Sequence, residues 1–432
     1  MSSKSAGAKP TDRYNIIYIV FIILGTASTL PVHIFYTASS YYKAKLKGTR
    51  YEHVIENYLM LAYSLPTLFM GVINLMLLRS FDVRKRLAFS VIMLIIFFTV
   101  TAILAKLDTT KWKMTFFILS LTIISLNSVF GSTIYQGSLF GLASIFPKEY
   151  AQALITGQAL AGVFTAIVNI LSLIASHSAS HSGVAYFICG IILLLVSLII
   201  QLLLKKNAFA RYYMELNLEY DTYQRKKLLS HEDEFSETDE EHERVPNEDS
   251  RIYRIKHIIN KTWPVVLAYF FCHTITFCVF PSISSRAVSV YHQSHSKLTG
   301  PLFIPVACFV VFAVADVVGR LISRWILMPS QNQGLSLLFM SISRISLIPL
   351  FLYCNVKPRQ HLPVKIYSDI AYIILILLLG ISHGYVGTLC AMYAPKRVQA
   401  RFSESAGALA YFALIAGVAT GTAISFGLIA II

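Results

Sequence analysis

The apolar positions of this chain come in long unbroken runs, not in the alternating or three-to-four spacing of half-buried elements. No charged residue falls between Glu56 and Arg79, between Arg86 and Lys106, or between Glu149 and Lys205. A bilayer core takes about 20 apolar residues per helix, so such runs read as membrane spans. The pattern predicts an all-α polytopic protein of eleven transmembrane helices, near 14–37, 57–78, 87–105, 114–143, 150–176, 183–204, 262–284, 301–323, 333–354, 367–393 and 405–431. The fourth is one long tilted helix because no turn cluster divides it. The polar run from His177 to Ser182 does divide the next two.

Residues 205–260 form the one sizeable polar segment, basic at first and then acidic from Glu232 to Glu243. It divides the spans six and five. The expected organisation is a cytoplasmic tail at 1–13, a six-helix bundle at 14–204, a partly disordered cytoplasmic linker at 205–260 and a five-helix bundle at 261–432. Ser236 and Thr238 stand upstream of acids, a context for an acidophilic kinase or simply a solvated linker.

Composition agrees: 56% of the residues are hydrophobic and 14% charged, where soluble domains carry roughly a quarter charged. A net charge of +15 invites a nucleic-acid reading. The basic residues sit at span ends, however, not on one stripe or patch, so no nucleic-acid partner is expected. Lys and Arg are commoner in the segments that are cytoplasmic when the N-terminus is inside, and the C-terminus is then extracellular. The loop with Lys43, Lys45, Lys47 and Arg50 dissents. The six cysteines lie in apolar segments without CxxC spacing, so neither disulfides nor a metal site is expected. The first span is too long for a cleaved signal and lacks a small-residue cleavage site. No Walker motif, catalytic triad or cofactor signature is present, which leaves a secondary carrier or channel, not an enzyme.

Ionisable residues inside spans are costly and mark function by default. Asp316 and Arg320 are one turn apart on the eighth span, where each lowers the other's desolvation cost. A carboxylate can accept from vicinal sugar hydroxyls and a guanidinium can donate to sugar or ring oxygens; a structural ion pair is the plainer alternative. Gln136 carries a donor and an acceptor suited to a nucleobase edge. Gly137 with Gly141, and Gly417 with Gly421, have the spacing of close helix contacts. Pro31, Pro66 and Pro281 lie within the expected spans and should kink or open them. His33 follows Pro31 as a packing residue or a proton relay. Glu404 begins the last span, where an acid suits a helix N-terminus or a pair across bundles. Arg344 lies inside the ninth span with no assigned role.

Several stretches carry a family resemblance: Leu30-Pro31 with Phe35 and Thr37, Gln136 to Ala143, Thr156 to Gly162, Phe280-Pro281 and Asp316 to Arg320. Further ones are Cys354 to Arg359, Gly384-Tyr385, Pro395-Lys396 and Glu404 to Gly407. In this order among eleven spans, the sequence resembles the equilibrative nucleoside transporter family over nearly all the chain outside the tail and linker. The resemblance implies a six-plus-five bundle of the major facilitator type. It also implies facilitative, sodium-independent, bidirectional movement of nucleosides of the adenosine, uridine and inosine type, and nucleobases in some relatives. By position, it places Asp316 and Arg320 on the ribose and Gln136 on the base. Phe309, Tyr36, Ser64, Thr67 and Val418 then line the cavity. His33, Phe280 and Pro281 close its external side, and Arg86 with Glu404 its cytoplasmic side. The sequence departs from the family at Val32-His33, where a tryptophan–asparagine pair is common, and at Ala313, where asparagine is frequent. These departures bear on substrate preference and inhibitor response.

Two other functions stay open: a polyspecific organic-cation carrier of the same family and a membrane scaffold that transports nothing. The fifth span holds no carboxylate to select a cation after Glu149. No cofactor and no obligate protein partner are expected beyond the lipid bilayer. The linker's Leu228-Leu229 has Gln224, not an acid, four residues upstream, so the plasma membrane is favoured over an endosomal address.

Overall fold

A computed structural model describes residues 10–37, 39–51, 55–77, 83–175, 179–215, 251–292, 296, 298–300, 302–357, 359, 361–399 and 402–432. The acidic part of the expected linker, with Leu228-Leu229, Ser236 and Thr238, lies outside the described residues.

The first half contains α1 (Ile16–Thr37), a short α2 (Ser39–Lys45), α3 (Ile55–Leu77), α4 (Val83–Lys106), α5 (Lys113–Asn127), α6 (Gly137–Ile145), α7 (Lys148–Ala175) and α8 (Ala179–Leu203). A helical stretch at 208–215 is α9. The second half contains α10 (Arg251–Val279), α11 (Val311–Trp325), α12 (Gly334–Ser343), α13 (Leu347–Leu352), α14 (Asp369–Tyr393) and α15 (Ser403–Ile431). Among the described residues, 10 helices are long and apolar enough to cross a membrane. Helix α3, 23 residues with Pro66 inside it, stands where the remaining expected span lies. Large apolar side chains such as Phe69, Phe339 and Ile370 are exposed on the outer faces, as a lipid-facing surface requires.

The structure refines several of the expected spans. The fourth span runs unbroken from Lys113 to Ile145 as expected, but Ser128–Gln136 is wound as a π-helix, a rare winding that is frequent at functional sites. The seventh begins at Arg251, well before 262, because helix propensity does not stop where apolarity does. Its regular α-helix ends at Val279, and Pro281 lies in the turn that follows, still inside the apolar span Ile255–Arg286; a residue preceding proline is pushed out of the α region, so the proline opens this span. By contrast, α1 and α3 continue through Pro31 and Pro66. The ninth span is interrupted by a 3-10 turn at Arg344–Ser346.

Without a hydrophobic drive between helices in lipid, packing depends on close backbone approach at small residues. A Cβ at Gly25 would lie 2.0 Å from the Leu154 carbonyl oxygen, and one at Gly157 equally near that of Ile22, so α1 and α7 touch backbone to backbone. The expected contact at Gly417 and Gly421 is made between α15 and α10, where added Cβ atoms would meet the Phe270 and Thr274 oxygens. A Cβ at Gly384 of α14 would lie 2.1 Å from the Asp316 backbone carbonyl oxygen, so α14 presses against α11 at the charged pair. The halves meet where α11 and α14 pack on α7, and α15 packs on α3 and α6.

Candidate functional site

Asp316 and Arg320 share one face of α11, as their spacing dictates. Arg320 donates to the Asp316 Oδ2 from Nε at 2.9 Å, and its second nitrogen lies 2.8 Å from the same oxygen. The other Asp316 oxygen lies 2.8 Å from Nδ1 of His383 on α14. Asp316 is 5% exposed. A carboxylate this deep stays ionised only with such partners. Arg320 also reaches the first half, donating to the Ile155 carbonyl on α7 at 2.7 Å, while Gln152 of α7 donates back to the Arg320 carbonyl. The pair therefore sits on the seam between the halves. His33 lies on the same seam. An added Cβ at Gly162 would be 3.6 Å from its ring and 4.0 Å from Ala313, one turn before Asp316.

Gln136 closes the π-helical stretch and is buried. Its Nε2 donates to the Ser28 carbonyl of α1 at 2.7 Å, and the Tyr411 hydroxyl of α15 donates to its Oε1 at 2.5 Å. An amide has two N–H donors and two acceptor lone pairs, so one of each remains uncommitted among the described residues. Tyr63 and Ser132 form a further hydroxyl pair on the neighbouring faces. No hydrogen bond or ion pair joins Gln136 directly to Asp316 or Arg320; the two groups bond to α1 and α7 respectively, which pack on each other.

The remaining expected residues fall into three groups. Arg86 and Glu404 meet across the halves at 2.7 Å. Gly141 makes room for that acid, since an added Cβ would lie 2.8 Å from Glu404 Cγ. At the same end, Lys396 donates to the Ser144 and Phe146 carbonyls at the close of α6, and the Arg324 guanidinium lies 4.6 Å from the Tyr18 ring centroid. Phe280 stacks on Phe312 at 3.9 Å between centroids and meets Phe309 at 5.7 Å, so the expected gate and cavity aromatics form one cluster. Thr67, expected on the cavity wall, is the most enclosed of the third group. It is 3% exposed, and its hydroxyl is shared with Ser128 and the Tyr63 carbonyl. Ser64 and Val418 are half-buried on α3 and α15, and the Tyr36 side chain lies outside the described residues.

Sequence reasoning missed His383, Tyr411 and Phe312, and it named Lys396 only within a resembling stretch, without a role. His383 carries the signal that singled out His33, an ionisable group inside a span. Tyr411 carries none, because tyrosine is common in apolar helices. The sequence also gave no sign that Cys272, His273 and His383 place one ligand-type atom each within 4.8 Å of the others. The Cys272 sulfur lies 3.2 Å from the Arg344 guanidinium, whose charge opposes a cation there.

Residues 119–430 match the family described as Nucleoside transporter. The chain is 32% identical to equilibrative nucleoside transporter 3 of Rattus norvegicus, over 96% of this chain and 89% of that protein. It is 30% identical to equilibrative nucleoside transporter 1 of the same organism, over 98% and 99%. Among solved structures it resembles the major facilitator superfamily proton:xylose symporter XylE with a TM-score of 0.60 and 12% identity, covering 95% of this chain and 86% of that one. That likeness establishes the major facilitator architecture of the two halves. With nearly three-quarters of the sequence matched to one family and near-complete coverage by relatives at about 30% identity, this chain belongs to the equilibrative nucleoside transporter family.

Proposed function

We infer that this protein carries nucleosides across the membrane by facilitated diffusion, with no sodium or ATP requirement and in either direction. The observation that carries this reading is the buried Asp316–Arg320 pair, set where α11 meets α7 of the opposite half. An ionised carboxylate beside a guanidinium offers acceptors to sugar hydroxyls and donors to sugar oxygens. Gln136, with one donor and one acceptor uncommitted, is suited to a base edge. Phe309, Ser64, Thr67, Val418 and Tyr36 are assigned to the walls of the same path.

Alternating access requires that one end be closed while the other opens. The Arg86–Glu404 pair, with Lys396 on the α6 carbonyls, supports closure at the cytoplasmic end. The aromatic cluster around Phe280, with Pro281 and His33, is assigned to the external end. The N-terminus is placed in the cytoplasm, the C-terminus outside, and the protein in the plasma membrane. The six-helix half at 14–204 and the five-helix half at 261–432 are the two moving bodies.

The test is uptake of labelled uridine and adenosine into vesicles reconstituted with the protein, without a sodium gradient. Internal label is expected to equilibrate with the outside and to enter faster when unlabelled nucleoside is loaded on the far side. Strong uptake of a monoamine without nucleoside uptake would overturn the reading, as would the absence of any turnover.

A further inference from the structure

His383 is the partner of Asp316 that the sugar-binding reading does not use. The close approach of α14 and α11 at Gly384 brings its Nδ1 to 2.8 Å from Asp316 Oδ1. Asp316 already takes two guanidinium nitrogens on Oδ2, so it is ionised and can only accept. The hydrogen of that contact therefore belongs to His383 Nδ1, and in the neutral ring Nε2 is a bare acceptor. His383 is 7% exposed, and Nε2 has no hydrogen-bond partner among the described residues. His273, whose ring meets His383 edge-on at 4.9 Å, turns its own Nδ1 to the Tyr269 carbonyl. A buried acceptor without a donor is costly, which favours any ligand that brings one.

The carboxylate alone is short of capacity for a ribose. An ionised carboxyl has about four lone-pair sites. Arg320 engages one oxygen twice and His383 engages the other once. About one site is left for a sugar that presents two adjacent hydroxyl donors.

We propose that His383 is a specificity-determining residue for the sugar, with Nε2 accepting a hydrogen bond from one ribose hydroxyl while Asp316 accepts from its neighbour. This rests on the nucleoside reading above. It makes the Asp316–His383 unit a counter of hydroxyls: a sugar lacking them leaves a buried acceptor unpaired and binds less well, as in other sites built to hold an O–H. The base is read elsewhere, at Gln136.

The variant His383→Asn separates the two jobs of the ring. The Asn amide nitrogen can take the place of Nδ1 on Asp316, whereas nothing replaces Nε2. In reconstituted vesicles, wild-type protein is expected to prefer uridine over 2′,3′-dideoxyuridine by about thirtyfold in KM, the scale of the two hydrogen bonds the dideoxy sugar loses. The variant is expected to raise the KM for uridine by about five- to tenfold and leave that for dideoxyuridine within about twofold. Equal changes for both substrates, or none for either, would overturn the proposal. If the variant does not fold, the wild-type comparison decides, since equal KM values for the two sugars exclude hydroxyl reading by Nε2. A wild-type protein that carries neither substrate defeats the nucleoside reading itself, a result distinct from a loss of sugar preference.

Discussion

Arg320 and Arg344 lie in the same five-helix half, and both guanidiniums are withdrawn from solvent, yet they are held in opposite ways. Arg320 is neutralised by a carboxylate one turn away and reaches across to the other half. Arg344, 5% exposed, has no carboxylate partner among the described residues. It donates instead to the Cys272 carbonyl at 2.7 Å, the Thr276 hydroxyl at 2.7 Å, the Ser382 hydroxyl at 2.9 Å and the Leu379 carbonyl at 3.3 Å. Those acceptors belong to α10 and α14, so Arg344 pins both to the break between α12 and α13. The 3-10 turn there is where its fork enters the bundle. Under the proposed carrier function, one arginine serves the seam between the moving halves and the other fastens helices of a single half. On that reading a buried charge serves transport or packing according to whether its partners lie across two bodies or within one.

The largest expected effect tests the structural half of this contrast. Arg344→Leu leaves several buried polar groups unpaired, at about 1–3 kcal/mol each. The variant should lose several degrees of thermal stability in detergent and much of its surface abundance. If it stays as stable as wild type, the clamp is not what holds α10 to α14. Asp316→Asn comes next. Uptake should fall at least about tenfold, roughly 1.4 kcal/mol, with a smaller loss of stability than Arg344→Leu despite the uncompensated Arg320. Should this variant reach the membrane and transport normally, the pair is structural and the contrast collapses.

A smaller effect concerns the ties at the opposite edge of the seam. Arg86→Glu and Glu404→Arg should each slow uptake several-fold. The double exchange should recover a good part of it, because the pair meets at 2.7 Å. A double variant as poor as the product of the singles would show that these charges act apart. The smallest is Tyr411→Phe, which removes one hydrogen bond from Gln136, worth about 1 kcal/mol. The KM for nucleosides should rise by up to about fivefold with the maximal rate preserved. An unchanged KM would detach Tyr411, and with it the orientation of Gln136, from base recognition.

Much of the architecture was legible because lipid imposes it. A span must be apolar over about 20 residues whatever it packs against, so the charge gaps alone located the helices. The i,i+4 spacing of Asp316 and Arg320 likewise placed them on one face before any fold was known. Where expectation and structure part, a second influence competes with apolarity. Helix α10 outruns its apolar stretch because Arg251 to Lys261 still favour a helix, and it stops before Phe280-Pro281. The partner of Thr67 was equally out of reach: its hydroxyl meets Ser128, 61 positions along the chain.

The sequence by itself determined the class, the spans and the residue types able to meet a sugar and a base, because solvation cost is a local property of each segment. Only the tertiary structure decided which polar groups meet. His383 on Asp316, Tyr411 on Gln136 and Arg344 within its four acceptor groups are joined across helices far apart in sequence. Their distances depend on glycines that let particular backbones touch. A linear pattern records what each residue can bond to, and packing selects the partner.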